Sequence, residues 1–157
     1  MMVDLSTLSL RQNMLLKWLK GFRDLKPFGM EAFLLTDGRW YEPGDIVPVG
    51  MLDTPKQCFM NCQKSVTDHE AYRYCEGMAM SEGLPMPVHH AWLTVDDKVL
   101  DPTWAKFTKR TIYYGVTLKT EAVEIQLLKV QRYQPMLFQT HAALRKMIDG
   151  KTIREPV

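Results

Sequence analysis

Cysteine is scarce in this chain: only Cys58, Cys62 and Cys75 occur among 157 residues, an odd number confined to one third of the sequence. That count excludes a disulfide framework and suits a reducing compartment. No window approaches the roughly 18 consecutive apolar residues of a membrane span, and Met1 to Arg11 lacks a basic stretch followed by an apolar one, so a cytoplasmic protein is expected. Charge of one sign is also lacking. Twenty Lys and Arg face eighteen Asp and Glu, a net +2 with no basic block, and this predicts neither nucleic acid nor membrane as a partner. Repeats and low-complexity stretches are absent. What is present is 46% hydrophobic residues, enough for one compact domain over residues 1–157. The eleven methionines suit an irregular core and receive no functional role.

Apolar residues recur at helical spacing from Leu5 to Phe22, ended by Gly21, Pro27 and Gly29. Ala32 to Leu35 and Trp40-Tyr41 flank the turn signal Thr36-Asp37-Gly38, which predicts a hairpin or an ordered loop. Thr54-Pro55-Lys56-Gln57 reads as a helix start, with an N-cap hydroxyl, proline at the first helical position and glutamine three residues after the cap. Cys58 then falls in the first turn, where free N–H groups and the helix dipole favour a thiolate. Tyr72 to Met80, His89 to Val95, Val99-Leu100 and Thr111 to Leu118 read as strands, with a turn at Asp96-Asp97-Lys98. After Thr120 two patterns overlap, since Ala122, Ile125, Leu128 and Lys129 fit a helical face while Val123, Ile125 and Leu127 fit strand alternation; the helical reading through Val130 is preferred, and a last helix runs from about Met136 to Ile148. The class is α+β: N-terminal helices, then a thiol-bearing helix packed on an antiparallel sheet.

Three short segments carry chemistry in a fixed order: Gln57-Cys58-Phe59, His89-His90-Ala91-Trp92 and Asp101-Pro102-Thr103-Trp104. Each alone has an ordinary reading. A helical cysteine is usually a small buried hydrophobe, a strand histidine can sit satisfied in a core, and Asp-Pro opens many turns. In combination they supply the nucleophile, the base and the group that orients the base in cysteine catalysis. His90 follows Cys58 by 32 residues and precedes Asp101 by 11, and a hairpin through Asp96-Asp97 would return the chain to His90. Adjacent strand residues face opposite ways, so only one of His89 and His90 meets the thiol. The position before Ala91-Trp92 favours His90, with His89 as a rim residue.

The cysteine at a helix start, Tyr74-Cys75-Glu76-Gly77 on the next strand, His90-Ala91-Trp92 and Asp101-Pro102-Thr103 together resemble the transglutaminase-like branch of the papain-like cysteine enzymes. The likeness covers about Thr54 to Trp104, roughly a third of the chain. It implies that Cys58 is the nucleophile, His90 the general base and then acid, and Asp101 the orienting carboxylate. It implies an amide hydrolase, peptidase or transamidase working through a thioester, with no cofactor, and a protein, peptide or small amide as substrate. The family also has inactive members, so a binding or regulatory protein on the same scaffold is the alternative. Gln57 stands where a small residue often precedes the family cysteine, and Cys62 where an alanine often follows it. Papain's oxyanion glutamine would fall on Leu52, which cannot donate, and this favours the transglutaminase-like branch. Trp40, Gln57 and Asn61 are the side-chain candidates to join the Cys58 N–H in an oxyanion hole.

Two further readings compete. Cys58, Cys62, Cys75, His89 and His90 could supply zinc ligands, although only Cys58-x3-Cys62 approaches the paired spacing of a structural site. An arylamine-type acetyltransferase also uses Cys, His and Asp in this order, but Pro55-Lys56-Gln57 offers no glycine-rich approach to the thiol. Trp40, Trp92, Trp104, Tyr113 and Tyr114 could wall a cleft, though such residues more often fill a core.

Overall fold

The structure, a computed structural model, describes residues 8–44 and 55–150. The first helix, α1, spans Leu10–Leu25. It starts where Ser9 and Gln12 form a reciprocal capping box, the Ser9 hydroxyl accepting from Gln12 N (3.1 Å) and the Gln12 amide oxygen from Ser9 N (2.8 Å). Gly21 does not end it. A mid-helix glycine costs only about 1 kcal/mol, whereas Leu15 and Leu19 are fully buried at roughly 1.5–3 kcal/mol each.

The expected hairpin around Gly38 is instead a helix followed by a strand: α2 covers Met30–Asp37 and β1 covers Arg39–Pro43. Ala32, Phe33 and Leu34 are all buried, and a short apolar run of that kind suits a buried helix as well as a strand. Gly38 still ends the element, its N–H donating to Leu34 O.

The thiol-bearing helix α3 runs Cys58–Asp68. Its predicted capping signal is displaced: Thr54 lies outside the described residues, Pro55 and Lys56 form a turn with Lys56 at φ 62°, and Gln57 is an N-cap without a side-chain hydrogen bond. Proline therefore precedes the helix rather than opening it, which makes Cys58 the first helical residue. Cys62 and Val66 face the core as expected, while Phe59 is half-buried.

Strands β2 (Arg73–Ser81), β3 (Val88–Val95), β4 (Lys98–Leu100) and β5 (Thr111–Leu118) lie close to their predicted bounds. The sheet departs from expectation in closing into a barrel with strand order β1-β4-β3-β2-β5. It is also not antiparallel throughout. β1 pairs antiparallel with β5 (Arg39 with Gly115, Tyr41 with Tyr113) but parallel with β4 (Glu42 with Lys98). Side chains alternate across it. Tyr41, Cys75, Ala79, Trp92, Val99 and Tyr113 fill the interior, while Tyr74, Met78, Met80, Leu93 and Leu118 pack outward against the helices.

Helix α4 spans Thr120–Val130 and stops at Gln131, which is left-handed at φ 54°. The last helix, α5, is shorter than expected, His141–Met147, capped by the Thr140 hydroxyl accepting from Ala143 N. Met136 to Thr140 stay irregular because the N–H groups of Met136 and Leu137 donate to the Glu76 side chain rather than entering a helix. The fold is thus α+β, helices around a small five-stranded barrel. Among the described residues no helix is long and apolar enough to cross a membrane.

Candidate active site

His90 enters the barrel interior because β2 and β3 pair with His90 opposite Gly77 and Trp92 opposite Cys75. Asp96 and Asp97 both take left-handed backbone (φ 50° and 65°), the geometry of a tight two-residue hairpin, and they send β4 back along β3. Leu100 pairs with Leu93, and Asp101 leaves the sheet one residue later. Its Oδ1 accepts from the backbone N–H groups of Thr103 and Trp104, both at 3.0 Å. Its Oδ2 accepts from the Tyr113 hydroxyl and faces His90 Nε2, both at 2.8 Å. One Asp101 oxygen therefore shapes the turn while the other faces the imidazole.

The Trp104 ring lies flat on His90, centroids 3.8 Å apart and planes 14° from parallel. Cys58 meets the same imidazole as a hydrogen-bonding neighbour. With Nε2 directed to Asp101, Nδ1 is the nitrogen left for sulfur. Burial draws the His90 pKa down, but the charge and hydrogen bond of Asp101, with Cys58 adding to them, outweigh it and raise the value to about 9. The ring is therefore cationic at neutral pH. Cys58, as the first residue of α3, also sits among N–H groups that precede the first helical hydrogen bond, Asn61 N to Gln57 O (2.8 Å).

The three oxyanion candidates are differently occupied. Gln57 is exposed at the N-cap, and Asn61 donates its amide to Thr103 Oγ1 (3.0 Å), tying α3 to the Asp101 turn. Trp40 packs edge-on against Tyr114, centroids 4.8 Å apart.

His89 points to the outer face of the sheet. Its Nε2 is 2.7 Å from Glu76 Oε2, and its ring lies edge-on between Phe59 and Phe138. Glu76 is fully buried and also accepts from Tyr74 OH (2.5 Å), Met136 N (2.8 Å) and Leu137 N (3.0 Å). Burial and the nearby Glu76 push the Tyr74 pKa well above its ordinary value, so the phenol stays a donor. This second imidazole–carboxyl pair escaped the sequence reading. The signal was a lone acid in the otherwise apolar middle of β2; Glu76 pairs with Ala91 and meets His89, the partner of Met78, diagonally on the same face.

The zinc reading loses its ligand set. Cys75 sits inside the barrel, its sulfur 3.2 Å from Thr117 Oγ1, and burial pushes its thiol up to about 11. His89 faces away from His90, all three cysteines are free, and among the described residues no group of three or more His, Cys, Asp or Glu side chains is placed to hold a metal ion. The aromatic residues divide. Trp92 and Tyr113 are core, whereas Trp104 and Phe107 line a cleft of about 340 Å³ with Ser81 to Leu84. No protein-family model matches this chain, and neither a curated protein nor a solved structure matches it.

Proposed function

We propose that this chain is a cysteine-dependent acyl-transfer enzyme, an amide hydrolase, peptidase or transamidase of the transglutaminase-like, papain-like kind. The observation that carries the reading is the buried His90 imidazole, held by Asp101 at Nε2 and facing Cys58 at the start of α3. A cation beside the sulfur and a helix N-terminus beneath it both favour the thiolate. In the first half-reaction the sulfur attacks an amide carbonyl carbon, and negative charge moves to the carbonyl oxygen against the Cys58 N–H. The C–N bond then breaks as the imidazolium gives its proton to the leaving amine, leaving a thioester. In the second, neutral His90 takes a proton from water or an amine, which attacks the thioester and restores the thiolate. The partner is the substrate, a protein, peptide or small amide. Three free cysteines suit the reducing cytoplasm.

Exposures of only 9% for Cys58 and 2% for His90 favour one second reading, a binding or regulatory protein that keeps the scaffold without turnover. Alkylation separates the two. Followed by mass spectrometry against pH, Cys58 should react quickly below pH 7, Cys75 should not, and His90→Ala should abolish the advantage. Uniform or absent reactivity of all three thiols in the folded protein would reject the enzyme reading. With an amide substrate in hand, His90→Ala should lose about 10²- to 10⁴-fold in rate.

A further inference from the structure

We propose that Tyr113 is a positioning residue that sets the strength of the His90–Asp101 contact, a role that rests on the acyl-transfer reading above. Tyr113 comes from β5, the strand that closes the barrel, and its ring is fully buried in the interior. Its hydroxyl donates to Asp101 Oδ2, the same oxygen that His90 Nε2 meets, each at 2.8 Å. Oδ1 is already engaged by two backbone N–H groups. Among the described residues Asp101 therefore has four donors, and the one that competes with the imidazole for the same oxygen is the phenol.

The charge on that oxygen is shared between the two donors. A stronger phenol donor leaves less of it for the imidazole, and removing the phenol leaves more. The nearby hydroxyls of Thr108 and Thr111 donate to the Ala105 and Phe107 carbonyls (3.2 and 2.7 Å), while the Tyr113 hydroxyl donates to Asp101. Burial, with Asp101 close by, raises the Tyr113 pKa well above its ordinary value, so the phenol keeps its proton. The titratable groups facing the His90 site are Cys58 from α3, Asp101 after β4 and Tyr113 from β5. Cys75 and Tyr41 share the barrel interior, and Glu76 and His89 occupy the opposite face of the sheet.

The test is an NMR titration of the His90 ring, with no substrate present, in the wild type and in Tyr113→Phe, which deletes one oxygen. The midpoint should rise by about 0.5 pH unit or more, because the bare Asp101 oxygen binds the imidazolium more tightly. Should Tyr113→Phe fail to fold, 3-fluorotyrosine at position 113 keeps the shape and strengthens the donor, and the midpoint should fall instead. An unchanged midpoint in either folded variant overturns the inference, even if Cys58 alkylation still depends on His90. A shifted midpoint with an inert Cys58 supports the Tyr113 coupling and rejects the enzyme reading, so the two failures are distinguishable. A purely structural tyrosine would lower thermal stability without moving the midpoint.

Discussion

A buried imidazole that gains a carboxylate on folding makes the stability of the whole protein depend on one proton. The His90 pKa rises from an unfolded value of 6.5 to about 9 in the fold, so the folded state binds the proton more tightly. The stabilisation is fully present below pH 6.5 and is lost as the pH rises through about 9. Thermal unfolding of the wild type should therefore show a falling Tm across that interval. Asp101→Asn removes the charge that raises the pKa, and the decline should disappear with it; an identical slope in the variant would mean that another group titrates there. On the acyl-transfer reading proposed above, the same substitution should cost far more in turnover than in folding, because an amide can present its N–H to Nε2 and impose the wrong tautomer.

Among the elements, the stretch from Gln134 to Phe138 is held by side chains rather than by a helix or strand of its own. Glu76 on β2 takes two of its N–H groups, and Gln63 on α3 donates to the Gln134 carbonyl at 2.6 Å. Glu76→Gln would turn one acceptor oxygen into a donor facing donors. The expected cost is about 1–3 kcal/mol, with faster amide exchange at Met136 and Leu137 than elsewhere in the protein. Unchanged exchange there would show that packing alone holds the segment. The sequence could not announce this arrangement, since Met136 to Ile148 carries helical periodicity and the competing acceptor lies 60 residues away from Met136. Strands β2, β3 and β5 were legible because alternation and turn residues are local signals, and so were the Asp96-Asp97 hairpin and α4. The same locality made the His90–Asp101 juxtaposition readable, as one tight turn separates them. The parallel partnership of β1 and β4 was not readable. Arg39–Pro43 reads as a short broken segment, and nothing within it points to Lys98.

On the scale of the molecule, closure of the barrel depends on two facing glycines. Gly77 pairs with Gly115, and a Cβ at Gly115 would overlap the Glu76 carbonyl and stand 2.8 Å from the Trp92 ring. Trp92 is fully buried and cannot withdraw without disturbing Tyr41 and Tyr113. Gly115→Ala should therefore cost at least about 1–3 kcal/mol, read as a lower denaturation midpoint. It should also loosen the His90 site that shares the same interior; a variant as stable as the wild type would show that β5 can yield.

Barrel closure also gives the protein a timetable. β1 acquires its neighbours only when β4 and β5 exist, and His90 receives Asp101 and then Tyr113 only from chain that follows it. A polypeptide emerging N-terminus first therefore displays Cys58 well before the contacts of Asp101 with His90 and Tyr113 can assemble. The surroundings proposed to activate that thiol are therefore complete only once Leu118 has left the ribosome and the barrel can close.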